Sequence, residues 1–228
     1  MVGRTTFCVH PAPAIESVPR VGGTKTLHLD KLRQLAPTHV IVNVDENRLE
    51  DVEAMREFVP HIIVTHPLEP EDNLPLFRLR GGVFDRLGRA DALAADFAWE
   101  LEQNRAAHDT RKPRKVLYLI WKEPWMTVSR PTYISRMLAA VNWHTVGHHP
   151  ETRYPEVSLD SDEARGADIV LLSSEPFPFK DKHVPLVKSA LPSADVRLID
   201  GELVSWYGSR AIQGMDYLRR LASAEAMP

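Results

Sequence analysis

Cysteine is almost absent: Cys8 stands alone in a chain of 228 residues. A single thiol excludes an internal disulfide and a zinc-finger cysteine cluster. Long apolar runs are missing too, and no stretch approaches the ~18 residues of a membrane-spanning helix. Positive charge is not in excess. With 28 Lys and Arg against 31 Asp and Glu the formal net charge is -3, which disfavours a sequence-independent nucleic-acid binder. The opening Met1-Val2-Gly3-Arg4 lacks the charged-then-apolar order of a signal peptide.

The usual catalytic signatures are missing as well. In Val21-Gly22-Gly23-Thr24-Lys25-Thr26 a threonine stands between the glycines and the lysine, so no phosphate loop forms. The segment reads instead as a tight turn, where paired glycines let backbones approach closely. Ten histidines are present, but no pair is spaced i,i+4 around a carboxylate as on a zinc helix. Tyr207-Gly208-Ser209-Arg210 has no second glycine after the serine, so it is no nucleophile elbow. His10, before Pro11 at a loop tip, is a candidate ligand contact. Cys8 and His10 also leave open a small two-lobed α/β enzyme using them in a cleft.

What is present is an ordinary globular composition, 43% apolar and 26% charged. The apolar residues fall in short runs alternating with helical patterns. Val40–Val42, Ile62–Val64, Val116–Ile120, Ile169–Leu172 and Val196–Ile199 read as strands. Continuous apolar strands between helices predict parallel sheets covered on both faces. Leu29, Leu32 and Leu35 mark a short helix ended by Pro37, and Asn47 to Phe58 another, with Asn47 and Glu50 as a capping box. Further helices are predicted over Thr132–Val141 and Ser209–Leu221. Between the halves, Val83, Leu87, Ala90, Ala94, Phe97 and Leu101 follow a 4-3-4-3-4 spacing. This predicts one helix of about 25 residues and ~35 Å, ended by Arg111-Lys112-Pro113-Arg114. The predicted organisation is an N-terminal α/β lobe (1–82), a connecting helix (83–112) and a C-terminal α/β lobe (113–228).

The 18 prolines cluster beside strand ends, as Pro11 and Pro13, Pro67 and Pro70, Pro176 and Pro178, where α/β proteins place binding loops. Trp121 and Trp125 follow one strand, Phe177 and Phe179 another, and Trp206-Tyr207 a third. Three loops with aromatic residues at one sheet edge point to a large, partly apolar, planar ligand. Arg210 is placed to clamp a carboxylate, phosphate or amide edge.

Several stretches together carry a family resemblance. They are Gly3–Pro11, Val18–Lys25, Val40–Asp51, Tyr154–Asp160, Ser174–Phe179 and Asp200–Arg210. In this order the chain resembles the helical-backbone (class III) substrate-binding proteins of ABC importers, closest to the cobalamin (vitamin B12) and metal-chelate branch. The resemblance implies two Rossmann-like lobes joined by a single backbone helix, with ligand in the cleft between them. It implies binding without chemical change and delivery to a membrane permease. The expected ligand is a corrinoid, cobalamin or cobinamide, or a related metal chelate, with haem and iron–siderophore as alternatives and no covalently bound cofactor.

Carried over by position, the first lobe would contact ligand through His10, the turn Gly23-Thr24-Lys25, and Asn43. The second would use Trp121, Trp125, Phe177 and Trp206, with Arg210 at the edge. Thr24 and Asn43 stand where the cobalamin binder has tryptophans, which leaves a smaller corrinoid, haem or a siderophore open. One acidic residue per lobe, Asp30 and Asp160, would dock the permease. The resemblance implies a periplasmic location, with a cytoplasmic one open. It also implies a first lobe lacking its opening strand and helix, whose open sheet edge invites oligomerisation.

Overall fold

The computed structural model describes residues 1–108 and 110–224. Its contacts divide the chain into two compact units, residues 1–66 and 67–228. The division expected after residue 82 thus falls inside the second unit.

The first unit is built from α1 (Leu29–Gln34), β1 (His39–Asn43), α2 (Leu49–Met55) and β2 (His61–Thr65). The strands pair in parallel, His39 opposite His61 and Asn43 opposite Thr65. Val21, Leu32, Val42, Val52, Met55 and Val59 form the buried core against one face. Ile41 is exposed on β1, and the rings of His39 and His61 stack at 4.5 Å. The N-terminal segment is fastened by a buried arginine. Arg4 donates through Nε to the Val18 carbonyl (3.2 Å) and through Nη1 to the Cys8 carbonyl (2.9 Å). Carbonyl oxygens thus satisfy part of a charge that burial would otherwise penalise.

The second unit contains, in chain order, α3 (Asn73–Val83), α4 (Leu87–His108), β3 (Arg114–Leu119), α5 (Tyr133–Ala139), β4 (Trp143–Thr145) and α6 (Asp162–Arg165). It continues with β5 (Ile169–Ser173), α7 (Val184–Ala190), β6 (Asp195–Ile199), α8 (Gly201–Ser205) and α9 (Ser209–Ala224). The sheet order is β4-β3-β5-β6, all parallel. Side chains alternate between two covers, as strand geometry requires. Val116, Tyr118, Ile169 and Leu171 join Phe97, Leu101, Met137, Met215 and Leu218 from the helices. Leu117, Leu119, Val170 and Leu172 join Phe179, Val187 and Leu191 on the other side. All eight strand residues are fully buried, which explains why these strands read as unbroken apolar runs.

The structure corrects two sequence expectations. The helix expected to begin at Val83 is two helices. Val83 ends α3, and the turn at Phe84–Arg86 has Asp85 at φ +51°. Arg86 donates to the Gly81 carbonyl (2.7 Å) and Asp85 to the Gly82 carbonyl (3.4 Å), the paired bonds of a Schellman stop. Apolar spacing runs through this stop although Leu87 is 55% exposed, because periodicity alone does not register a turn. The second helix is 22 residues, about 33 Å at 1.5 Å per residue. The capping box at Asn47 and Glu50 does not form. Arg48 precedes α2 without a side-chain cap, because Asn47 is drawn into the turn after β1, accepting the Asn43 amide (2.9 Å).

Gly81 packs where α3 meets α4: a Cβ there would lie 2.5 Å from that of Ala90. Gly82, one residue on, has open space. Gly81→Ala should therefore destabilise by about 1–3 kcal/mol through overpacking, while Gly82→Ala should be neutral or gain up to ~1 kcal/mol from helix propensity. Urea unfolding midpoints of the two variants check the contrast, and equal shifts would contradict the packing.

Candidate ligand-binding face

Because the strands of the second unit are parallel, β3, β5 and β6 all release their loops at the same carboxyl edge. After β3 the chain makes a closed loop. Trp121 and Met126 bridge antiparallel, and Met126 donates to the Trp121 carbonyl (3.2 Å). The loop after β5 is tied to it, since the Phe177 amide donates to the Ile120 carbonyl (3.2 Å). The rings then meet. Trp121 sits edge-on to Phe177 with centroids 5.7 Å apart, and Phe177 lies 4.7 Å from Phe179. Trp125 stacks on Phe179 at 6.1 Å with an interplanar angle of 1°. Exposure falls through the cluster: Trp121 is 40% exposed, Phe177 and Trp125 are half-buried, and Phe179 is 5% exposed. Phe179, expected as a loop aromatic, is a core residue of the α7 side.

The third loop joins through a carboxylate that the sequence reading did not single out. Glu175 Oε1 accepts from Trp206 Nε1 and from Ser205 Oγ, each at 2.7 Å. Burial pushes the Glu175 carboxyl above the usual carboxylate range, the two donors pull it back, and Glu202 and Asp200 push it further up. The face of Trp206 carries Arg210, whose guanidinium is 5.8 Å from the ring centroid. That guanidinium also pairs with Glu202 at 2.6 Å, so the acidic group expected at Arg210 is supplied from within the chain. Glu175 was illegible because an acidic residue in a proline-rich loop usually faces water, and only the fold brings Trp206 to it.

On the first unit the expected residues behave differently from one another. Asn43 is buried, and its amide serves the backbone. Nδ2 donates to the Thr65 carbonyl (3.1 Å), and Oδ1 accepts from the amides of Asp45 (2.9 Å) and Glu46 (3.3 Å). Lys25 is exposed and donates to the Asp45 carbonyl (2.6 Å), while Asn47 Nδ2 donates to the Thr24 carbonyl (3.3 Å). These bonds bring the Gly23-Thr24-Lys25 turn and the turn after β1 together. Gly23 itself donates to the Thr26 carbonyl (3.2 Å), closing that turn. His10 is exposed in the N-terminal loop. Cys8 is exposed with Sγ 3.3 Å from the Thr5 hydroxyl. Asp30 is exposed in the first turn of α1, where the helix dipole favours a carboxylate. Asp160 is exposed just before the Ser161 cap of α6 and pairs with Arg165 at 3.2 Å.

Among the described residues no group of three or more His, Cys, Asp and Glu side chains is placed to hold a metal ion. No described helix is long and apolar enough to cross a membrane.

Comparison with known proteins places this geometry in context. The family described as "Periplasmic binding protein" matches residues 1–186. No curated protein sequence matches the chain. Among solved structures, the periplasmic vitamin B12 binding protein BtuF of Vibrio cholerae aligns with a TM-score of 0.84 at 15% identity, covering 100% of this chain and 89% of that one. The periplasmic heme-binding protein RhuT from Roseiflexus sp. RS-1 aligns at 0.83 and 19%, covering 99% and 90%. The periplasmic heme binding protein HutB of Vibrio cholerae aligns at 0.77 and 18%, covering 100% and 90%. At these identities the likeness establishes the fold, the two-lobed α/β architecture of such binding proteins.

The Glu175 environment has a pH consequence. A carboxyl raised by burial binds its proton more tightly when folded than when unfolded, so this group's contribution to stability declines as pH rises. Glu175→Gln keeps an acceptor without the charge. The variant should therefore gain on the wild type from about pH 4.5 upward, near the ordinary glutamate pKa. Urea midpoints at pH 4, 5.5 and 7 read the difference, and a constant offset would contradict this assignment.

Proposed function

Since the chain belongs to the periplasmic binding protein family, and so is a solute-binding protein, we propose that it captures a corrinoid or related planar metal chelate and hands it to an ABC importer. The observation that carries this reading is the shared edge of the second unit. Trp121, Phe177 and Trp206 arrive there on three loops and leave ring surface accessible. A flat ligand stacked on such rings loses little side-chain entropy, because the rings are already held by one another and by Glu175. Trp125 backs the cluster through Phe179. On the first unit, His10 and Lys25 are the exposed candidates, and Asn43 holds the turn that presents Lys25.

Haem is the second reading. Its support is that Asn43 and Thr24 offer no rings on the first unit, which suits a ligand smaller than a full corrinoid. Two of the similar structures also carry haem-binding names. The handover requires a permease, and the proposed docking residues are Asp30 and Asp160. Both are exposed carboxylates, and exposed ion pairs fix orientation more than they add affinity. Family members work in the periplasm, which is the location proposed here.

Tryptophan fluorescence and calorimetry against cobalamin, cobinamide, haem and ferric siderophores test the ligand. At least one chelate should bind with a Kd of about 1 μM or tighter, near -8 kcal/mol. Trp121→Ala and Trp206→Ala should each weaken that affinity about tenfold, since one aromatic contact supplies on the order of 1 kcal/mol beyond area burial. Folded protein that binds none of these ligands would end the proposal.

Charge reversal separates docking from binding. Asp30→Lys and Asp160→Lys should leave ligand affinity unchanged while uptake into cells or into permease-containing vesicles falls several-fold. Unchanged uptake in the double variant would remove the docking role.

A further inference from the structure

Arg80, near the end of α3, is a half-buried guanidinium with no carboxylate beside it among the described residues. Its Cζ lies 5.8 Å from the centroid of the Tyr207 ring. The next residue, Gly208, has φ +82°, and a Cβ there would fall 2.8 Å from Arg80 Nη1. The loop therefore lies directly against the guanidinium. Arg80 Nε is buried without a hydrogen-bond partner. Burial is also the principal influence on this side chain's charge, and it pulls the guanidinium pKa down from its usual value.

Two other arginines show what is missing. Arg210 has Glu202 at 2.6 Å. Arg219, across the unit on α9, has Asp216 at 2.5 Å and Glu100 at 3.5 Å. A guanidinium taken partly out of water without an anion is costly, and truncating one member of a buried pair shows how costly. An anion from outside would complete such a group. A carboxylate or phosphate does so with charge-assisted, bidentate hydrogen bonds.

The surroundings hold the arginine ready. Asn73, fully buried, accepts the Gly208 amide through Oδ1 (2.6 Å) and donates through Nδ2 to the Tyr133 hydroxyl (2.9 Å). Tyr133 in turn meets the Tyr207 ring edge-on at 6.2 Å. The loop that presses on Arg80 is thus fixed from behind, and it is the loop that carries Trp206.

We propose that Arg80 is the anion-recognition residue of this binding protein: its guanidinium pairs with a carboxylate or phosphate of the ligand beside the Tyr207–Gly208 loop, which makes the preferred cargo an acidic chelate. The inference rests on the functional reading above and deepens it by assigning the charge class of the ligand. It favours haem with free propionates over its dimethyl ester, and cobalamin, which carries a phosphodiester, over cobinamide, which lacks one.

Two measurements test it, one with chelates and one without. In the first, wild type, Arg80→Gln and Arg80→Lys are titrated with haem and haem dimethyl ester, and with cobalamin and cobinamide. Wild type should bind the acidic member of at least one pair ten or more times more tightly. Arg80→Gln should lose that preference by weakening the acidic member alone, and Arg80→Lys should retain part of it. Equal affinities in wild type, or a loss in Arg80→Gln that falls equally on both members, would overturn the proposal and leave Arg80 a structural residue. Should Arg80→Gln not fold, the partial preference in Arg80→Lys carries the same decision. In the second, Tm is measured with and without millimolar inorganic phosphate. Wild type should gain stability that Arg80→Lys largely keeps and Arg80→Gln lacks. Protein that binds no chelate but shows this phosphate effect would sink the chelate reading and keep the anion site. Protein that shows neither would sink both.

Discussion

The parallel pairing of β3 with β5 is the constraint from which the rest of the second unit follows. Both strands are buried on both faces, so seven of their eight central side chains are aliphatic, the eighth, Tyr118, donates its hydroxyl to Ser173 (3.0 Å), and the helices must cover the sheet twice. Parallel strands must also be joined by crossovers, and every crossover leaves from the same edge. The loops after β3, β5 and β6 therefore converge whatever their sequences. What the sequence chooses is what they carry, and here it is Trp121 after β3 and Phe177 after β5, with Trp206 arriving one short helix, α8, after β6.

Those rings serve the core and the surface at once. Phe179 is committed to the core, Trp125 stacks on it, and Phe177 and Trp121 extend the same cluster outward. A face built this way is held firmly because its outermost rings rest on residues that stabilise the fold. The third loop uses a different device. Glu175 is held half-buried at the cost of desolvation, and the hydrogen bonds from Ser205 and Trp206 offset part of that cost. Two loops are joined by ring contacts, and the third is joined to them by a charge-assisted hydrogen bond.

The strands were legible in the sequence because burial on both faces writes itself as unbroken Val, Ile and Leu, as in Ile169-Val170-Leu171-Leu172. The helix at Thr132 was legible because its cap is local, the threonine hydroxyl accepting the Ser135 amide. The short α6, α7 and α8 left weaker marks, since a helix of one or two turns shows barely one repeat of its spacing. The break at Asp85 was hidden because a non-glycine residue occupies the left-handed position that glycine usually marks. Asn43 was expected as a ligand contact because the family resemblance carries one over to its position. Its amide also bonds the Thr65 carbonyl and the turn after β1, contacts that spacing does not reveal. Glu175 and Arg80 were invisible for a further reason: each owes its meaning to the 205–208 loop, more than 29 residues away in the chain.

The two arginines beside that loop differ in one respect that bears on selectivity. Arg210 lies over Trp206 with Glu202 already neutralising it, so its contribution is a flat, weakly hydrated plate against the indole. Arg80 lies over Tyr207 with no acid beside it among the described residues, and an anionic ligand would answer its charge. Stacking surfaces recognise any flat molecule of suitable size, and on their own they discriminate poorly between a charged chelate and its neutral analogue. An uncompensated guanidinium discriminates strongly, because a neutral ligand leaves it desolvated and unpaired whereas an acidic one completes it. On the proposed reading the rings would supply affinity and a single fixed charge would supply choice, so that one sheet edge would hold a broad class of chelates and still select within it.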